Sequence, residues 1–195
     1  VLAFVLPLGS GAANGAGTKR LTFNTTSLSL ERALRDGRLV RRLPLRPLIA
    51  QQRRLFFVRP DLVDLLNGVP PGRFPDWECE KLIGKFCAGY LMTVSFSRLD
   101  DGADMKRWVG FDEVWALCPR KPRPGWRLLG RFVQPGCFVA LSAWDRHDLH
   151  NRFDEAATDM VDQWRSIFGA QEPYCGSGHA DYLTGVSSHV GQPIQ

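Results

Sequence analysis

The stretch WRLLGRFVQPGCFVALSAW, residues 126–144, constrains the fold of this chain more than any other. It reads as two strands and a tight turn. Residues 128–133 are mostly apolar, Gln134-Pro135-Gly136 is turn chemistry, and residues 137–141 are apolar again. Basic residues stand before, within and after it, at Arg120, Lys121, Arg123, Arg127, Arg131 and Arg146. A buried hairpin with basic flanks can hold cations over a polyanion. Arg127 and Arg131 lie four positions apart, so a regular strand points them to one face. The plain alternative is that they are ordinary strand arginines, and that Trp126 and Trp144 pack the strand ends rather than stack on bases.

The rest of the chain falls into place around this hairpin. Residues 1–26 carry Gly9-Ser10-Gly11 and Asn14-Gly15-Ala16-Gly17 and read as a flexible tail. Residues 27–68 read as helical. The first helix is capped by Ser27 or Ser29 and stopped by Gly37. A second opens at Pro47 and runs with Leu48, Ile49, Gln52, Leu55 and Phe56 on its apolar face, with Arg53 and Arg54 turned away from it. A third runs from Pro60 to the Asn67-Gly68 stop. Residues 76–84 fit a helical turn. Residues 85–147 read as sheet, with strands in 85–96 and 108–117, a Pro-rich basic loop at 119–125, and then the hairpin. Residues 152–168 form the clearest helix, capped by Asn151 and ended by Gly169. Its apolar face is Phe153, Ala157, Met160, Val161, Trp164 and Phe168. Residues 170–195 read as a C-terminal tail. Helices, then an antiparallel meander, then a helix predict a single α+β domain over 27–195, with the helices packed on one face of the sheet.

Charge narrows the class of partner. Residues 1–60 hold 11 basic and 2 acidic residues, a surplus of +9, whereas the remainder holds 14 basic and 18 acidic. Such a field favours nucleic acid, an anionic surface or an acidic protein, although an Arg-rich solvated surface has the same composition. The five cysteines, Cys79, Cys87, Cys118, Cys137 and Cys175, are odd in number and lack a CxxC pair. They predict neither a disulfide framework nor a zinc ribbon, but a reducing, cytoplasmic setting with Cys118 and Cys137 buried in strands. The apolar start, residues 1–8, is too short to span a bilayer and lacks a basic leader, and no membrane partner is expected.

The segment EVWALCPRKPRPGWRLLGRFVQPGCFVALSAWDRHDLH resembles the core of the RelE/HigB-type toxin superfamily, including its phage-derived members. The resemblance lies in an apolar strand at 114–117, a basic loop at 120–123, the strand start Trp126-Arg127-Leu128, the turn at 134–136, the strand at 138–141, and Asp145-Arg146-His147. It covers about a quarter of the chain, which is about twice the usual length of such toxins. It implies a RelE-like core, a metal-independent mRNA endoribonuclease with no cofactor, and an acidic antitoxin as partner. Arg127 would contact the scissile phosphate and Arg146 would stabilise developing charge. His147 would act as acid or base, and Arg120, Lys121, Arg123 and Arg131 would bind the RNA backbone.

Two other constellations are weaker. His147 and His150 form an HxxH spacing with poor same-side geometry for a metal, and no metal is expected. Cys175, His179 and Asp181 sit in YCGSGHADYL, where a held loop accounts for them better than a Cys–His nucleophile. No Walker loop, dinucleotide fingerprint or Gly-x-Ser-x-Gly elbow occurs. The rival readings are a non-catalytic nucleic-acid or protein binding module from a phage or mobile element, and an assembly protein that docks through its Arg-rich N-terminal third.

Overall fold

A computed structural model describes residues 22–43, 52–69, 72, 74–96, 102–108, 110–184 and 187–189. The elements run α1 (Thr22–Arg35), β1 (Val40–Arg41), β2 (Leu55–Val58), α2 (Pro60–Leu66), α3 (Asp76–Cys87), β3 (Met92–Ser95), β4 (Met105–Arg107) and β5 (Trp115–Leu117). The hairpin follows as β6 (Trp126–Gln134) and β7 (Cys137–Asp145), then α4 (Arg146–Leu149), α5 (Phe153–Phe168), α6 (His179–Tyr182) and β8 (Ser187–His189). The fold is α+β. One sheet has the order β1-β2-β7-β6-β5-β4-β3-β8. The pairings β1–β2, β7–β6, β6–β5 and β5–β4 are antiparallel, whereas β2–β7, β3–β4 and β3–β8 are parallel. Among the described residues, no helix is long and apolar enough to cross a membrane.

Helices cover both faces of the sheet, not one. On one side Leu62 and Leu66 of α2, Ile83 and Phe86 of α3, and Tyr182 of α6 pack on Phe56, Trp115, Leu128, Phe132 and Phe138. On the other, Ala33 of α1 and Ala157, Met160 and Trp164 of α5 pack on Phe57, Ala116, Leu129, Val133 and Val139. Burial on both faces explains why β6 and β7 read as nearly continuous apolar runs. Pro135 and Gly136 are the two central residues of the hairpin turn, and Gly136 takes the positive φ of 68° that a side chain resists.

The hairpin carries an irregularity that keeps both faces filled. Leu129 pairs with Ser142, but Gly130 pairs with Ala140, so β7 holds one extra residue, Leu141, at this point, and a second shift nearer the turn leaves Val133 of β6 unmatched. That extra residue reverses the alternation: Phe138 and Ala140 face the α3 side before it, and Ala143 after it. The ladder closes tightly here, since a Cβ on Gly130 would lie 2.0 Å from the Val139 carbonyl oxygen.

Several expectations change. Of the second helix expected from Pro47, residues 44–51 lie outside the described residues, and Leu55–Val58 is a strand. Leu-Phe-Phe-Val suits a central pleat, and its parallel pairing with β7 buries both parities of side chain. Arg54 is buried rather than turned to solvent. Its Nε donates to the Thr184 carbonyl at 2.7 Å and its Nη1 to that of Tyr90 at 3.2 Å. Desolvation lowers its pKa to about 10. Residues 85–96 divide between the end of α3 and β3. Of the strand expected at 108–117 only its end, β5, is strand; β4 lies just before the span, and Gly110 and Glu113 between the two strands both take positive φ. Arg152, not Asn151, is the N-cap residue of α5. Residues 170–195 are not merely a tail, because α6 and β8 lie within them and Tyr182 enters the core.

Candidate nucleic-acid interface

The loop at 119–125 is drawn shut by its own backbone. The Trp126 amide donates to the Pro119 carbonyl at 2.9 Å and the Gly125 amide to that of Pro122 at 2.9 Å. Gly125 is needed there, since a Cβ would lie 2.7 Å from the Pro119 oxygen. The Lys121–Pro122 and Arg123–Pro124 bonds are cis. The Arg146 amide donates to the Gly125 carbonyl at 3.0 Å, which joins α4 to the loop. Asp145 caps α4 by accepting from the His147 amide at 2.7 Å. The result is a rim at one end of the sheet that holds Arg120, Lys121, Arg123, Arg146 and His147.

The members of this rim differ in how far they are committed. Lys121, Arg123 and His147 are exposed, and Arg146 is half-buried. Arg120 is also exposed, but it donates to the Gly102 carbonyl at 2.7 Å and to Asp104 Oδ1 at 3.2 Å. Asp104 is buried and takes Lys85 Nζ at 2.6 Å and the Thr93 amide at 3.0 Å on its other oxygen. Burial by itself would raise the Asp104 pKa, but the Lys85 hydrogen bond and charge, with the Thr93 bonds, outweigh it and hold the carboxyl below its usual value. Arg120 is thereby fixed in direction, at the cost of part of its charge.

Arg127 and Arg131 share a face of β6, as their spacing predicts, but that face lies beneath helices. Arg127 is only 5% exposed, and its Nη1 donates to the Trp126 carbonyl at 2.7 Å. Arg131 is 2% exposed. Its guanidinium donates to the Asp112 carbonyl and stands 5.8 Å over the Trp164 ring of α5. It also lies four residues, about 13 Å, along the strand from Arg127 and away from the loop end. Arg131 therefore pins the β4–β5 turn and α5 to the sheet and is not placed to touch a ligand held at the rim.

A second polar cluster joins the β4–β5 turn to the segment after α5. Glu113, at φ 50°, is buried and accepts from the Tyr182 hydroxyl at 2.6 Å, from Trp115 Nε1 at 3.4 Å and from Arg107. The YCGSGHADYL segment is a held loop. Asp181 accepts from the Ser177 and Gly178 amides, and the Gly176 amide donates to the Tyr182 hydroxyl at 2.8 Å. Cys175 is exposed, but its hydrogen bond to Glu113 raises its pKa, with burial adding to it. Burial pushes the Cys87 and Cys137 thiols up to about 12 and also raises Cys79 and Cys118, so none of the five is poised as a thiolate nucleophile.

Sequence reasoning missed Arg54, Asp104, Lys106 and Glu113, all buried charged residues. Lys106 stands in β4 between Met105 and Arg107, in a stretch short enough to pass as turn. No protein-family model, curated protein or solved structure matches the chain. The toxin resemblance of the central segment rests on its own residues.

Proposed function

We propose that the chain is an RNA-binding protein that holds the sugar–phosphate backbone along the rim formed by loop 119–125 and α4. The observation that carries this reading is the Arg146–Gly125 backbone bond, which sets the cations of the loop beside Arg146 and His147 at one end of the sheet. Lys121 and Arg123 are the principal phosphate contacts, Arg120 is an oriented third, and none of them distinguishes one base from another. Arg127 acts from beneath, as a fixed charge that supports the loop. An acidic antitoxin-like protein would compete for the same rim.

Cleavage without a metal is the second reading, and the adjacency of Arg146 and His147 favours it. In that reading His147 takes the proton of the 2′-hydroxyl as its oxygen bonds to the adjacent phosphorus, the bond from phosphorus to the 5′-oxygen breaks, that oxygen leaves with a proton from water to give a 2′,3′-cyclic phosphate, and Arg146 stabilises the charge that develops on the phosphate. One experiment addresses both. A labelled single-stranded RNA is titrated with the parent and with a Lys121→Glu/Arg123→Glu variant, and the RNA is then run on a denaturing gel. Binding weakened about tenfold or more in the variant supports the rim, and equal binding refutes it. Shortened RNA with the parent, lost in His147→Ala, supports cleavage. Intact RNA at saturation leaves a binding protein.

A further inference from the structure

Asp104 is one buried carboxylate shared by two cations from different parts of the molecule. Its side chain is 5% exposed. Lys85 Nζ, from the last turn of α3, lies 2.6 Å from Oδ2, and Arg120 Nη2, from the basic loop, lies 3.2 Å from Oδ1. The two cations reach it from nearer the surface, with side chains 35 and 47% exposed. Lys85 lies outside the rim, and Asp104 is what connects it to Arg120.

The carboxylate is held still between its neighbours. The Asp104 amide donates to the Thr93 carbonyl and to the Thr93 hydroxyl, both at 2.9 Å. The Thr93 amide donates back to Oδ2 at 3.0 Å. On the other side the Cys118 amide donates to the Asp104 carbonyl at 2.8 Å, immediately before the basic loop. An anion fixed by β3 and by the end of β5 cannot follow one cation when the other departs. What changes is how its charge is divided. With both cations present, each offsets part of it. Without Lys85 the whole of it falls on Arg120, and the low dielectric around a buried group strengthens the effect. Arg120 then presents less charge to a phosphate.

We propose that Lys85 regulates the rim: through Asp104 it sets how much of the Arg120 charge is available to a polyanion. Lys85 is a positioning residue, and any change that neutralises its amine weakens the rim without touching it. The coupling of Lys85 to Arg120 stands on geometry, while its consequence for RNA rests on the RNA reading of the rim. A network that only holds the fold would respond in stability and leave the state of Arg120 unaltered.

Two readouts on the whole chain separate the coupling from the RNA reading. The first is the rate at which phenylglyoxal, a dicarbonyl reagent, labels Arg120, followed by peptide mass spectrometry. The reagent takes the unprotonated guanidine, and a stronger ion pair holds the proton. Lys85→Met slows the labelling about threefold or more, and Lys85→Arg restores the parent rate. In an Asp104→Asn background Lys85→Met has no effect. The second readout is affinity for a labelled single-stranded RNA, with thermal melts confirming that each variant is folded. Lys85→Met weakens it about three- to tenfold and makes its salt slope shallower by up to about 0.7, whereas Lys85→Arg does neither. Unchanged labelling in Lys85→Met, or the same slowing in the Asp104→Asn background, overturns the proposal. So does RNA affinity that ignores Lys85→Met in a parent that binds. A parent that binds no RNA refutes the RNA reading of the rim, and the labelling still decides the coupling.

Discussion

At the scale of single residues, the charged side chains divide into those that hold the fold and those that face water, and residue type alone does not tell them apart. Arg54, Arg127 and Arg131 look like solvent arginines in the sequence, yet each donates to backbone carbonyls from a buried position. The available signal was their surroundings: Arg131 lies among Leu128, Leu129, Phe132 and Val133, apolar residues of both strand parities, which leaves no parity for solvent. Asp104 offers a direct test. Its folded pKa lies below the unfolded value, so its contribution is complete above about pH 4 and is lost as the pH falls through the folded pKa. Asp104→Asn is expected to cost about 2 kcal/mol at pH 7 in urea unfolding. The gap between parent and variant should close as the pH drops below 4. A gap that stays constant from pH 7 to pH 3 would contradict this role. Tyr182→Phe removes the hydroxyl donor to the buried Glu113 and should cost roughly 1–3 kcal/mol in the same measurement, with the aromatic packing on Trp115 retained.

At the scale of elements, length and regularity decided what could be read. The hairpin and α5 were legible because each sustains one pattern for many residues. Strands β3, β4 and β5 hold three or four residues each, too few for a period to emerge. β2 was misread because Leu55 and Phe56 continue an apparent helical spacing from Pro47, while the property that decides its state, pairing with β7, is a contact across the chain. The extra residue in β7 was likewise invisible, since it is defined by the partner strand. Its neighbour Gly130 carries a sharp prediction. Gly130→Ala forces a methyl against the Val139 carbonyl and the Phe138 ring, and the ladder must part to admit it. The expected loss is about 3 kcal/mol or more by thermal or denaturant melting, against about 1 kcal/mol or less for Ala170→Gly beyond α5. A melt unchanged in Gly130→Ala would mean that the hairpin does not close as described.

At the scale of the whole molecule, coverage of both sheet faces organises everything else. It places the arginines of β6 in the interior and leaves the ends of the strands and the loops between them as the surfaces where cations can meet a partner. It also explains why the candidate site was legible only in part. The basic loop at 119–125 was visible from its composition, and Arg146 and His147 from their place after β7. That Arg131 would be withdrawn beneath Trp164 depended on α5 packing over it. The segment after α5 belongs to the same frame, since Tyr182 joins Trp115 and Phe132 in the core and β8 adds to β3.

The dependence of RNA affinity on salt tests the rim most directly. A single-stranded RNA that releases counterions from three to five phosphates should show log K falling against log salt with a slope of roughly −2 to −3.5. Reversing Lys121 and Arg123 should make that slope shallower by about 1.4 or more, with the melting temperature unchanged. A slope that is the same in parent and variant would place the nucleic acid elsewhere or remove it from the function altogether.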